Sequence, residues 1–482
     1  MATISSKGNQ AMYQRIRWAA WFGLATASGC ADSSPGTGGA GVRPPGSDPT
    51  RAALVAKIDS IISAPISSGK LAGASIAVVK GRDTIAVRGF GRANLELDVP
   101  TPARASYEIG SVTKQFTGAA IMQLVEQGKL SLADDVKKYL PEFNAQGRAI
   151  SIRRLLDHTS GIKGYTEIPE FGPLAARRLP KDTLLKLIGK KPFDFEPGEE
   201  EIYNNSAFFL AGLVIEKVSG MSYEDYVEKN LFAKAGMPDS HYCSEVEVHK
   251  GKATGYDSDS TGPVQKGAMS HVWPYAAGSL CASAIDLVAW NEALHQSGQI
   301  LGPQAYQEFV NPGKLNDGTT LGYAMGIAVY NRLGRRSLHH GGGIPGFVSE
   351  NLYFPDDSLS VVVLYNTAGP ASPDDAAEAI AEAVLGKAPD LSKPTEGDLN
   401  RFAGTYQGRG RGEPTKLTIA ADGGKLTAQA SFLGDSAKTL TYIGDNTFTQ
   451  GYARLIFNSA GDKVTGVRID AGYGNSPLKR IK

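Results

Sequence analysis

Ser111-Val112-Thr113-Lys114 opens the apolar segment Gln115-Phe116-Thr117-Gly118-Ala119-Ala120-Ile121-Met122-Gln123-Leu124-Val125. Three and four residues each make close to one helical turn, so Ser111 and Lys114 share a helix face. A hydroxyl held beside an amine is the start of an activated nucleophile: Ser111 attacks, and Lys114 holds or takes its proton. A serine three residues before a lysine is common by itself. This one gains weight from its place at the start of an apolar helix, and from two partners further along the chain.

The partners are Tyr203-Asn204-Asn205 and His340-Gly341-Gly342. The flanks are Tyr107-Glu108-Ile109-Gly110 before the serine and Leu155-Leu156-Asp157-His158-Thr159-Ser160-Gly161 further on. Glu196-Pro197-Gly198 precedes the tyrosine, and Gly343-Ile344-Pro345-Gly346-Phe347 follows the histidine. The order S-x-x-K, Y-x-N, cation-x-G resembles that of the penicillin-recognising serine hydrolases, in their class C β-lactamase, DD-peptidase and esterase branch. The resemblance covers about residues 51–388. It implies an α/β fold: a sandwich of an antiparallel sheet flanked by helices, with a mostly helical subdomain. It also implies that the backbone N–H groups of Ser111 and Gly343 form an oxyanion hole.

Each motif residue has a chemical reason to be there. A serine hydroxyl needs a base within hydrogen-bond reach. Lys114 serves if burial lowers its pKa, since desolvation disfavours the ammonium. Tyr203, whose phenol ordinarily titrates near 10, can share that proton and later pass it to the leaving group. Asn205 offers a donor and an acceptor, to Lys114 and to a substrate amide, while Asn204 between them is expected to point elsewhere. His340 stands where many members of the family carry lysine, so its positive charge is conditional on pH, and its expected partner is a substrate carboxylate. Gly341 and Gly342 leave a strand edge bare for substrate backbone, with Gly342 counted among the binding residues. His158 is expected to be structural. No G-x-S-x-G elbow accompanies it, which argues against an α/β-hydrolase triad.

Composition narrows the alternatives. The chain has 482 residues and a formal net charge of +1, so nothing points to nucleic acid. The three cysteines include no C-x-x-C pair and no zinc spacing. His339 and His340 are adjacent, and adjacent side chains diverge on a strand, so no metal site is expected there. No cofactor is expected.

The N-terminus reads as an export signal over residues 1–30. Arg15 and Arg17 precede the apolar run from Trp18, which ends in Ala27-Ser28-Gly29-Cys30. That ending resembles a bacterial lipoprotein box with Cys30 as the lipidated residue, implying a membrane anchor and a periplasmic or envelope location. Met12 would make a shorter signal than Met1. Residues 31–50 are dominated by Gly, Ser, Pro and Asp and read as a flexible spacer. Cys243 and Cys281 are expected to be two separate buried thiols, although an exported compartment permits their pairing.

Periodicity predicts a helix over 52–62, strands over 74–79 and 84–87, the Ser111 helix to about Glu126, and helices over 206–218, 223–234 and 282–296. Strands return over 337–340, 349–354 and 359–365, and a helix over 374–385 closes the domain. Residues 389–397 read as a linker. From 398 to 482 short alternating strands follow one another, and Phe402-Ala403-Gly404-Thr405-Tyr406 resembles the opening of the small lipocalin-like domain appended to this family. The function expected is an exported serine hydrolase forming an acyl-enzyme on Ser111 with a small acyl substrate, an ester or a D-amino-acid amide or peptide, with β-lactam hydrolysis as the alternative. The alternative from another class is a penicillin-binding sensor without turnover or an inactive scaffold.

Overall fold

The computed structural model describes residues 49–481 apart from 388–391, 394–397, 411–412, 431–435, 451–452, 462 and 471–473. The export signal with Cys30, the spacer to residue 48 and most of the 389–397 linker lie outside the described residues.

Seven antiparallel strands form the central sheet. They are β1 (Gly73–Lys80), β2 (Asp83–Asn94), β3 (Val99–Pro100), β4 (Ala328–Arg332), β5 (Arg335–Ile344), β6 (Phe347–Phe354) and β7 (Leu359–Tyr365). Their order is β4-β5-β6-β7-β1-β2-β3, so strands from both ends of the domain meet where β7 pairs with β1. Alternation assigns the two faces. Ile76 and Val78 of β1 and Val361 and Val363 of β7 pack with Ile58, Ile62 and Ile380, from helices α1 (Pro49–Ser67) and α5 (Pro373–Leu385). Ala77, Val362 and Leu364 face the larger helical core. With both faces covered, every residue of β7 is buried. This is the helix-flanked antiparallel sandwich that the motif order implied.

The helical side is built around α2 (Thr113–Glu126), which is buried from Thr113 to Leu124. Phe116 stacks on Trp290 at 4.0 Å, and the indole N–H donates to Gln115. Helix α3 (Asn205–Ser219) and helix α4 (Ala284–His295) complete this side. The expected helix over 282–296 begins instead as a short strand, Leu280–Ser283, after which Ser283 caps α4. Strand β5 outruns its expected span of 337–340, because Gly341 to Ile344 continue the ladder with β6.

The cysteines correct an expectation. Cys243 and Cys281 form a disulfide, with Cα atoms 5.3 Å apart across 38 residues of sequence. His241 pairs with Cys281, and the Cys243 N–H donates to the Ser279 carbonyl. Strand pairing therefore delivers the two side chains to each other, which spacing alone could not reveal.

From Gly404 onward eight antiparallel strands run from β8 (Gly404–Gly410) to β15 (Gly474–Arg480). β8 pairs back onto β15 and closes a barrel around Phe402, Tyr406, Leu417, Leu455, Phe457 and Val467. The barrel does not hang free. Gly474 and Asn475 pair with Ile202 and Glu201, the two residues before Tyr203. Arg468 reaches Asp317 at 2.6 Å and Asn475 at 2.6 Å.

Candidate active site

The site starts at a kink. Gly110 has φ of +50° and opens a 3-10 turn, Gly110–Val112, that feeds α2. A side chain at Gly110 would also lie 2.8 Å from the Gly343 nitrogen, so the residue must be small as well as left-handed. The turn is held from below: Ile109 donates to the Leu280 carbonyl, and the Leu280 N–H donates to the Thr113 hydroxyl. Ser111 is left half-buried at the rim, and Lys114, one turn further in, is fully buried.

Three oxygens surround the Lys114 amine. Nζ lies 3.1 Å from Ser111 Oγ, 2.8 Å from Asn205 Oδ1 and 2.8 Å from the Ala277 carbonyl. Two of these can only accept, whereas the serine hydroxyl can also donate. A neutral amine fits the set: it donates to Asn205 and Ala277 and turns its lone pair to the Ser111 O–H. Burial favours that form and holds the Lys114 pKa well below its ordinary value. Nζ also sits 4.6 Å from the centre of the Tyr203 ring.

Asn205 reaches Lys114 because its neighbour does the capping. Asn204 accepts from the Ala207 N–H and donates to the Ile162 carbonyl, so its side chain anchors the start of α3. Asn205 is then free to direct its amide at the amine, and Asn204 points elsewhere, as the motif reading expected.

Strand β5 makes the other wall. β4 begins opposite His339, so among the described residues the strand pairing of Gly341 to Ile344 is with β6. A Cβ at Gly342 would strike the Ile109 carbonyl, which packs this strand against the Ser111 turn. Gly341 and Gly342 are half-buried and Gly343 is exposed, so the edge opens at its far end.

His340 departs from expectation. Its ring is wholly buried, with Nε2 2.8 Å from the Tyr323 hydroxyl and Nδ1 2.6 Å from the Gly341 carbonyl. Burial first, then the nearby Lys114, push its pKa well below the usual imidazole range. A neutral ring suits this geometry: Nδ1–H donates to Gly341, and Nε2 accepts from Tyr323. The side chain ties the strand to Tyr323, and its ring lies 6.1 Å from that of Tyr203.

The described residues include one set of potential metal ligands, His339, Glu350 and Asp374, with ligand atoms within 4.8 Å of one another. Arg332 occupies it. Its guanidinium lies 2.5 Å from Asp374 and 3.2 Å from His339, while Glu350 bonds His339 at 3.0 Å. A fixed cation is already in place, so the cluster is a charge network beneath β5 and fits no metal. Burial raises the Glu350 pKa to about 7.

Three contributors had no legible signal in the sequence. The Ala277 carbonyl is backbone and carries no side-chain signature. Tyr323 lies in no motif. His158 is in a quoted segment, but nothing in its spacing shows that its ring packs 4.5 Å from that of Tyr203.

Comparison with known proteins gives the family and the fold. Residues 58–385 match the family model "Beta-lactamase". Protein flp of Staphylococcus aureus (strain MRSA252) is 30% identical over 320 residues, 64% of this chain and 62% of that protein; the chain thus spans about three fifths of that relative's length. The octameric penicillin-binding protein homologue from Pyrococcus abyssi superposes with a TM-score of 0.62 at 27% identity, covering 88% of this chain and all of that one. A D-stereospecific amidohydrolase from Streptomyces sp. superposes with a TM-score of 0.60 at 25% identity, covering 69% of this chain and 99% of that one. With its serine, lysine, tyrosine and asparagine gathered in one cleft and its catalytic-domain span matched, the chain belongs to the Beta-lactamase family of serine hydrolases.

Proposed function

We propose that this chain hydrolyses esters or D-amino-acid amides and peptides through an acyl-enzyme on Ser111. The observation that carries the reading is the buried Lys114 amine, bonded at once to Ser111, Asn205 and the Ala277 carbonyl. In this reading Lys114 takes the Ser111 proton as Oγ attacks the substrate carbonyl. The N–H groups of Ser111 and Gly343 stabilise the negative charge that develops on the carbonyl oxygen. The proton passes by way of Tyr203 to the leaving oxygen or nitrogen, which departs. Water then attacks the acyl-serine; Tyr203 with Lys114 takes one proton from that water and delivers it to Ser111 Oγ as the acyl–oxygen bond breaks, which frees the acid and restores the serine. Asn205 holds the amine in place and meets a substrate amide, while the Gly341–Gly343 edge takes the substrate backbone. No step calls for a cofactor.

In this reading the burial of His340, with Nε2 bonded to Tyr323 and Nδ1 to Gly341, favours neutral substrates over carboxylated ones. β-Lactam antibiotics carry a carboxylate, and this wall offers them no cation at that position. Neutral esters and amides lose nothing by its absence. D-Amino-acid amides are further supported by the Streptomyces amidohydrolase likeness. The Arg15, Arg17 and Cys30 pattern supports export and lipid anchoring at the cell envelope. A panel of short-chain nitrophenyl esters, D-alanyl amides and peptides, and nitrocefin tests the assignment. The expected order of kcat/KM puts esters and D-amides above nitrocefin; efficient nitrocefin turnover with inert esters and amides would reverse it.

A further inference from the structure

The geometry points to His158 as the positioning residue for Tyr203, through a clamp on the backbone at either side of it. His158 takes φ of +62°, a left-handed conformation uncommon for any residue with a side chain, and is fully buried. That conformation turns two acceptors of one residue toward the tyrosine loop. The His158 carbonyl accepts the Ile202 N–H at 3.1 Å, and ring atom Nδ1 accepts the Asn204 N–H at 3.1 Å. Residues 202 and 204 are thereby tied to one residue, with Tyr203 between them. The imidazole also packs on the Tyr203 ring at 4.5 Å and on Tyr323 at 4.5 Å, the tyrosine that bonds His340.

The segment around His158 continues the clamp. The Gly198 N–H donates to the Thr159 carbonyl at 2.8 Å, and the Ile162 carbonyl receives the Asn204 amide. His158 differs from these neighbours in making both a backbone and a side-chain bond to the residues flanking Tyr203. Nδ1 must accept, so the working ring is neutral with its proton on Nε2. The left-handed backbone coincides with both acceptors of one residue meeting the tyrosine loop.

The inference rests on the Ser111 acyl-enzyme reading and assigns His158 no contact with substrate. Two variants separate its parts. His158→Phe keeps a ring for Tyr203 but removes the acceptor. His158→Asn keeps an acceptor one bond beyond Cγ and tolerates φ above zero, but removes the ring. The full chain is first titrated with a fluorophosphonate, and rates are expressed per labelled Ser111. Absence of label on wild type contradicts the acyl-enzyme reading and, with it, the inference that His158 positions Tyr203 for that chemistry; with label present, the two variants bear on His158 alone. With wild type labelled, His158→Phe is expected to lose about 10- to 100-fold in kcat with KM within roughly threefold, the signature of a displaced proton-transfer group. His158→Asn is expected to restore kcat to within about fivefold of wild type, on the same geometric ground. Wild-type kcat in folded His158→Phe, or an equal loss of kcat in both variants, overturns the inference. If His158→Phe fails to fold, His158→Asn decides: retained kcat supports the acceptor role, and lost kcat rejects it.

Discussion

Lys114 reconciles two demands that conflict in water: an amine close enough to bond Ser111, and an amine without its proton. Full burial supplies the second and Asn205 with Ala277 supplies the first. The sign of the pH dependence follows. A lysine below its pKa is an ammonium and cannot accept the Ser111 proton, so kcat/KM rises as pH climbs through the lowered Lys114 pKa. That rise is expected well below the pH at which free lysine titrates. The same shift bears on stability: between the folded and unfolded pKa values only the unfolded chain holds the proton, so stability rises with pH across that window. Lys114→Arg should remove the base at every pH and reduce turnover by about a thousandfold or more, which active-site titration with steady-state rates will check. His340 yields the opposite kind of prediction. With burial holding its pKa well below the usual imidazole range, it should give superimposed pH profiles, around neutral pH, for a carboxylated substrate and its methyl ester. A selective loss of the acid as pH rises would restore a charged His340. Ser111 and Lys114 were legible from the helix period; Tyr203 and Asn205 were legible only through the motif order that the resemblance supplied, since tertiary packing brings Asn205 to Lys114 across 91 residues. The state of His340 was not, since its burial arises from Tyr323 and the Ser111 turn, elements remote in sequence.

At the scale of elements, local periodicity carried further where both faces of a segment were decisive. The Ser111 helix and strand β7 were readable, one from its apolar run and its Gly128 stop, the other from its Val361–Leu364 run. The glycine half of β5 was not. Glycine carries no strand signal of its own, and Gly341 to Gly343 are a strand only because β6 pairs with them. The Cys243–Cys281 bridge belongs to the same class of facts. It ties the turn after Tyr242 to the strand Leu280–Ser283, whose first residue bonds Ile109 and Thr113. Replacing both cysteines by alanine is expected to cost about 2–4 kcal/mol of stability, measurable by denaturant unfolding. In the untreated protein neither thiol should alkylate before reduction; peptide mapping that finds both alkylated would return them to the free state.

At the scale of the molecule, the barrel is attached where the chemistry is most sensitive. β15 adds two residue pairs to Glu201 and Ile202, and Ile202 is also the residue whose N–H the His158 carbonyl holds. Arg468 secures the contact between Asp317 and Asn475, and it is nearly buried, at 8% exposed. Arg468→Ala is expected to lower stability by about 1–3 kcal/mol, the cost of leaving charge-assisted bonds unmade. It should also reduce kcat more than it raises KM, because the loop before Tyr203 loses support. Equal kcat in the variant and the parent would show that the barrel is a passenger. The existence of an all-β C-terminal unit was legible from its alternating strands and turns. Its docking was not, since a two-residue strand at Glu201–Ile202 gives no periodic signal and acquires its form from its partner.

The central claim is that Ser111 carries the acyl group during turnover. Intact-mass measurement of the rapidly quenched protein, with a nitrophenyl ester or a D-amino-acid amide in excess, tests it most directly. The expected result is one added acyl mass, mapped to the peptide containing Ser111, that disappears as substrate is exhausted and is absent from a folded Ser111→Ala protein. Turnover with no acyl adduct at Ser111, persisting in Ser111→Ala, would contradict the account.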